Sequence, residues 1–550
     1  MMLVKKIYSL TSRLLTILQL KSKLIYVLPV SILVFSCAQI VQPTGGQNDK
    51  DPPELISSMP QNKTLNFKSR EFQLTFNELV DASALQNELF IVPDPGSAYE
   101  TKVKNNVVTL KFDQPLAENT TYTLNFRNGI KDLTERNPAR NLKLVISTGD
   151  KIDSLQLSGT IIDLFTKEPK MDVTVGLYPA DTLPFSKKKP FYFVKTDSSG
   201  KYMLENVKNN KYFLLAFTDK NNNLRFDQKE ESAAFLPDSV DLQSHIELPE
   251  MEVYRADHSR NKIRRALSRE NEFIVQLDKP AIRANITYTD LTDTTAISYQ
   301  LSGSTLTFYK LKTEIPDSVQ TNIILHDSLL VADTLHQKIY FREETRNRKK
   351  KTGTLTIASN LRNGQETTQD ITYALSFEKP LIRLDTSKIK FYTDTLEKEK
   401  INIQLIDNQH INIKVKTQAQ RETALYIPEN TFENYLGDTN AVFTLKNPVL
   451  QSDQTGLLEG GTADTAIPKI AILQNEQRTM EFARQHFTDK FLFEHIIPGT
   501  YHITVIYDTN NNGIWDPGNL EKLTLPEKIV TTREPLRVRA NYEFRTLQLE

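Results

Sequence analysis

In the stretch "EFQLTF", Phe72, Leu74 and Phe76 alternate with polar residues, and the same period of two recurs in "VVTLKF" (Val108, Leu110, Phe112) and "TYTLNF" (Tyr122, Leu124, Phe126). Successive side chains of a strand point to opposite faces, so this pattern demands a sheet with one buried and one solvated face. Short runs rich in Val, Ile, Thr, Tyr and Phe, broken by Asn, Asp and Pro, continue along the chain. A half-buried sheet must pack on another. The expected fold class is therefore all-β, built of β-sandwiches. At 550 residues the chain exceeds a single core, and at about 100 to 200 residues per domain it divides into a string of units.

The 68 Lys and Arg balance the 68 Asp and Glu, which gives no electrostatic case for a nucleic-acid partner. An apolar fraction of 39% is enough for packed cores. With a single Trp, an aromatic sugar-stacking platform would have to use Tyr instead.

The one cysteine, Cys37, follows Lys21, Lys23, an apolar run over 24–35 and Ser36. That run has the length of a signal-peptide core and falls short of the ~20 residues of a membrane span. The pattern resembles a bacterial lipoprotein signal over 1–36, which implies cleavage before Cys37 and its acylation. It departs from that pattern at Phe35, where a small residue is usual, and the alternative is an uncleaved anchor. Having no other thiol suits an exported chain without disulfides. Residues 37–51 read as a flexible tether. Ala38 after the cysteine implies, by the same resemblance, sorting to the outer membrane, on either its periplasmic or its cell-surface face.

Residues 52–149 resemble an SbsA-type bacterial Ig-like domain, with "LTFNELVD", "LAENTTYTLNF" and "GIKDLTERNPA" in the expected order. Residues 154–252 resemble a carboxypeptidase-regulatory or transthyretin-like sandwich, with a hairpin turn at Asp197, Ser198, Ser199 and Gly200. Another sandwich is expected over 260–350. A second Ig-like unit follows over 351–450, where Tyr373, Leu375 and Phe377 echo Phe72, Leu74 and Phe76. A second transthyretin-like unit is expected over 455–546. Aligning Asp489 with Asp197 brings Phe493 onto Leu204, Tyr501 onto Tyr212 and Asp508 onto Asp219.

Local catalytic motifs are missing. The eight histidines fall in no zinc-ligand spacing, and no G-x-S-x-G elbow or phosphate-binding glycine pattern occurs. A carboxylate pair assembled only by folding stays open. The basic clusters at 187–189 and 346–351 read either as contacts to anionic lipid or as solvated loop tips guarding sheet edges.

The duplicated stretches "TDKNNNLRFD" and "YDTNNNGIWD" carry the strongest site signal. The first spaces Asp219, Asn221, Asn223, Asp227 and Glu230 as the oxygen ligands of a calcium loop, and the second spaces Asp508, Asn510, Asn512 and Asp516 likewise, with Gly513 at the bend. Leu224 replaces that glycine in the first loop, and Asn519 stands where a bidentate Glu is expected in the second. With so few carboxylates, Ca²⁺ would bind weakly, at about 10⁻⁴ to 10⁻³ M. The competing reading is a pair of turns in which Asn and Asp bond their own backbone. The whole resembles a family of outer-membrane lipoproteins with an Ig-like domain and a "DxNxNGxWDxG" loop. It implies a non-enzymatic, lipid-anchored envelope scaffold or interaction protein. The alternative is a lipoprotein binding surface glycan or peptide through loop tips.

Overall fold

The computed structural model describes residues 50–549 apart from 182–187, 313, 330, 343–352 and 395–399. The signal segment 1–36, Cys37, nearly all of the tether, Lys187 and the 346–351 cluster lie outside the described residues. The regular structure of the described chain is almost all strand, with one short α-helix at Leu85–Glu88. Among the described residues no helix is long and apolar enough to cross a membrane.

Five separate hydrophobic cores follow one another along the chain, each between paired sheets. In the first sandwich, Leu55–Met59, Glu71–Phe76, Val107–Phe112 and Tyr99–Lys104 form one sheet in that spatial order, and Phe90–Val92, Thr121–Asn125 and Lys143–Ser147 form the other. The alternation sets the register: Phe72 faces Leu110 and Leu74 faces Val108 across the pair, and all four are fully buried. The third sandwich repeats this order with Ile263–Ser268, Glu272–Leu277, Thr305–Lys310 and Ile297–Ser302, and the fourth with Ile357–Ser359, Asp370–Phe377, His410–Lys416 and Asn402–Asp407. Thus the third unit, read from sequence only as a sandwich, shares the strand order of the Ig-like first.

The second and fifth sandwiches share a different order. Leu155–Asp163 pairs antiparallel with Lys201–Val207 and parallel with Ile246–Glu247 and Met251–Val253. Gly456–Thr462 likewise pairs antiparallel with Lys490–Ile496 and parallel with Glu543–Leu549. The fifth unit therefore runs beyond 546, with Leu549 in its core. The duplication extends to side chains. Leu157 pairs with Leu204 as Leu458 does with Phe493. Tyr212 donates its hydroxyl to Lys208 O at 2.9 Å, and Tyr501 to Ile497 O at 2.7 Å, each four residues back.

Neighbouring units touch through specific contacts. Phe90 of the first packs edge-on to Phe193 of the second at 5.2 Å. The connection into the third is pinned by the buried Lys279, which pairs with Asp327 at 2.7 Å and donates to Asp257 O and Ser259 O. Tyr309 of the third meets Tyr435 of the fourth at 5.6 Å.

Candidate functional site

The two Asn-rich loops leave equivalent strands, Asn210–Phe217 and Gly499–Tyr507, and fold by the same set of hydrogen bonds. Asp219 Oδ1 accepts from Asn223 N at 3.0 Å and Oδ2 from Leu224 N at 3.0 Å. Asp508 Oδ1 accepts from Asn512 N at 2.9 Å and Oδ2 from Gly513 N at 2.8 Å. Asn221 and Asn510 each accept the amide two residues on, as do Asn223 and Asn512. Short side-chain amides and carboxylates thereby replace the strand ladder that ends there. The bend needs left-handed backbone at Gly513 (φ 83°) and at Leu224 (φ 58°), which only the second loop fills with a glycine.

Each loop is closed by a glutamate that the spacing did not indicate. Glu230 stands exposed, and its neighbour Glu231, 1% exposed, turns inward instead. Its two oxygens accept Lys220 N at 3.0 Å and Asp227 N at 2.8 Å. In the second loop Glu527 takes this place, accepting Thr509 N at 2.7 Å and Asp516 N at 3.1 Å. Glu231 follows Asp219 by twelve positions and Glu527 follows Asp508 by nineteen, so a fixed template finds neither. The signal available was the pairing of each Glu with the start of the next strand: Ala233–Phe235 in one copy and Ile529–Thr531 in the other.

Thus the structure gathers Asp219, Asn221, Asn223 and Asp227 with Glu231, and Asp508, Asn510, Asn512 and Asp516 with Glu527, while Glu230 stays outside. Asp516 Oδ2 also accepts the side-chain amides of Asn510 and Asn512. Burial pushes the Glu231 carboxyl above its ordinary value, and Asp219 and Asp227 add to this against two backbone donors that lower it. Among the described residues, no group of three or more His, Cys, Asp or Glu could hold a metal ion. The donor sets are mixed carboxylate and amide, all oxygen, of the kind a hard cation takes.

The second loop is also a clasp between sandwiches. Trp515 packs edge-on to Phe165 at 5.4 Å and to Tyr254 at 5.6 Å, both in the second sandwich, while its Nε1 donates to Glu527 O at 2.9 Å. Beside it, Ile470, Ile472, Ile506 and Ile529 on the outer face of the fifth sandwich bury against Leu164 and Tyr254. The longer second loop then carries Leu520 and Leu523 onto Leu215, Phe217 and Phe235, the outer face of the second sandwich. Phe226, the first-loop counterpart of Trp515, stays on its own unit and packs on Phe217 at 6.1 Å.

Residues 49–148 match the model of the bacterial Ig-like domain family. No curated protein matches the chain. Among solved structures, the chain is similar to the major pilin subunit of Bacillus cereus, at 9% identity over 72% of this chain and 99% of the pilin, with a TM-score of 0.14. It is similar to the N-terminal part of the bacterial S-layer protein SbsC, at 11% identity over 53% of this chain and 45% of that one, with a TM-score of 0.15. The human desmocollin-1 ectodomain is 11% identical over 73% of this chain and 80% of its own, with a TM-score of 0.12. At these scores the likeness does not extend to the arrangement of the whole chains.

Replacing Glu231 by Ala strands two backbone donors and is expected to cost about 1–3 kcal/mol, whereas Glu230→Ala should stay within about 0.5 kcal/mol. A carboxyl raised on folding favours the fold while protonated, and this contribution is lost as pH rises through the raised value. Wild type should therefore lose stability relative to Glu231→Gln between the ordinary glutamate range and neutral pH. Denaturant melts of the three variants across that window check both points; equal costs for Glu230 and Glu231, or a flat pH difference, would refute them.

Proposed function

We propose that this chain is a lipid-anchored cell-envelope scaffold or interaction protein without catalytic activity, held to the outer membrane by an acylated Cys37. The observation that carries the reading is where the most chemical-looking residues are used. The acids and amides of both Asn-rich loops accept backbone amides or, at Asp516, the side-chain amides of the loop itself, and one loop seats the fifth sandwich on the second. Rigid Ig-like units joined by packed contacts suit a projecting scaffold. Anchoring by lipid requires two or more acyl chains, since one binds only marginally and each buried methylene contributes about 0.8 kcal/mol.

Changing Cys37 to Ser is expected to leave an unprocessed precursor that keeps residues 1–36 and lacks the acyl mass. Mass spectrometry of membranes reads this directly. Normal maturation of the variant would contradict the anchor.

A second reading concerns the loops, and a specific observation favours it. None of Asp219, Asp227, Glu231, Asp508, Asp516 and Glu527 forms an ion pair with a described Lys, Arg or His, although Asp508 is wholly buried. Carboxylate and amide oxygens on one loop with no protein cation paired to them suit Ca²⁺, which these residues with Asn221, Asn223, Asn510 and Asn512 would hold. The ion would supply charge neutralisation and a stiffer clasp. At about tenfold excess over a Kd near 10⁻³ M, linkage gives a stabilisation of about 1.4 kcal/mol. A rise in melting temperature with millimolar Ca²⁺, abolished by Asp508→Asn with Asp219→Asn, is expected; calorimetry and melting curves unchanged by Ca²⁺ after chelator treatment would end this reading.

A further inference from the structure

An open groove of about 730 Å³ runs between the fourth and fifth sandwiches. One wall is the segment 360–372, and the other is Met480 with the start of the strand Glu481–Phe487 and the strand Lys490–Ile496. Met480 is 57% exposed there, Phe482 53% and Leu492 40%. Phe482 is held in place by an edge-to-face contact with Tyr501 at 5.3 Å. Three large apolar side chains open to solvent in one cleft mark an interaction surface more than a random patch.

Two further observations fix the occupant. First, Glu481–Phe487 is the edge of its sheet, paired only with Lys469–Asn475; its first residues, 481–483, line the groove, with Phe482 bulged out of that pairing, and the outer backbone groups of the strand stay open to a further strand. Second, the rim is acidic. Glu366, Asp370, Glu481 and Glu494 line it, and no described Lys or Arg does. Asp370 is engaged by Lys416 at 3.6 Å and Glu481 by Arg484 at 2.9 Å, whereas Glu366 and Glu494 form no ion pair among the described residues.

We propose that this groove takes up an extended segment of a partner protein in which apolar residues alternate with lysine or arginine. The segment adds a strand to the edge Glu481–Phe487. Its alternate apolar side chains lie on Met480, Phe482 and Leu492, and its basic ones face Glu366 and Glu494. Backbone pairing supplies affinity and the alternation supplies selectivity, as in other strand additions. The inference deepens the interaction-protein reading but does not depend on the lipid, so its failure leaves the Cys37 test untouched.

The test uses the purified full-length chain and a fluorescein-labelled peptide of alternating valine and lysine, beside a twin with glutamate in place of lysine. Anisotropy titration is expected to show the lysine peptide binding at least about tenfold more tightly than its twin. Phe482→Ser, at an exposed position whose folding is checked by its melting curve, should weaken binding about tenfold. Glu366→Lys combined with Glu494→Lys should reverse the preference between the twins. Equal binding of both peptides, binding of neither, or indifference to Phe482→Ser overturns the proposal. So does a dimer in sedimentation, or co-sedimentation with phosphatidylglycerol vesicles, that Phe482→Ser abolishes, because either would assign the groove to a second copy or to a lipid surface.

Discussion

The arrangement of the chain depends on one packed contact, in which Trp515 sits between Phe165 and Tyr254 while four isoleucines of the fifth sandwich cover Leu164 beside it. Burying aromatic and branched side chains of this size contributes about 1.5–3 kcal/mol each. That is enough to hold the last unit against the second although some 200 residues separate them in sequence. With the contacts from the second to the third and the third to the fourth, and the short connection from Gln451, which is bonded to Gln369 of the fourth, into the fifth, it closes a circuit of four sandwiches. The acidic groove lies between the last two of these sandwiches.

The duplicated loops show how one local solution takes on two duties. Both copies cap a strand end with Asp, two Asn and a closing Glu, and both reach the left-handed bend. The first copy does so with Leu224, which strains a side-chain-bearing residue by roughly 1–2 kcal/mol. The second has Gly513 and a longer path to its glutamate. The added length places Leu520 and Leu523 on a neighbouring unit, which the first loop, closed by Glu231 after twelve positions, is too short to do. At matching positions, Phe226 makes its contact within a unit and Trp515 makes its contacts between units.

Much of the fold was legible because alternation maps directly onto burial. Phe72, Leu74, Phe76, Tyr373, Leu375 and Phe377 are all at or below 2% exposed. The loop acids were legible through spacing, up to the closing glutamate, whose position depends on how far the chain wanders before rejoining the sheet. The interface between the second and fifth sandwiches was missed for a different reason. In Lys469–Asn475 and Gly499–Tyr507 the alternation gives way to continuous apolar runs, with Ala471, Leu473, Ile503 and Val505 facing the core and Ile470, Ile472 and Ile506 facing outward. Such runs signal strands covered on both faces. Read that way, "KIAIL" and "ITVIY" call for a partner surface, though not for which one.

Trp515 is the only tryptophan in the chain, so its fluorescence reports on the clasp alone. If the fifth sandwich is seated on the second, the native emission lies to the blue of the denatured chain and moves to the red, with greater quenching by acrylamide, when Phe165 and Tyr254 are both replaced by Ala. An emission maximum and quenching constant left unchanged by that double substitution would contradict the clasp and, with it, the closed circuit of sandwiches.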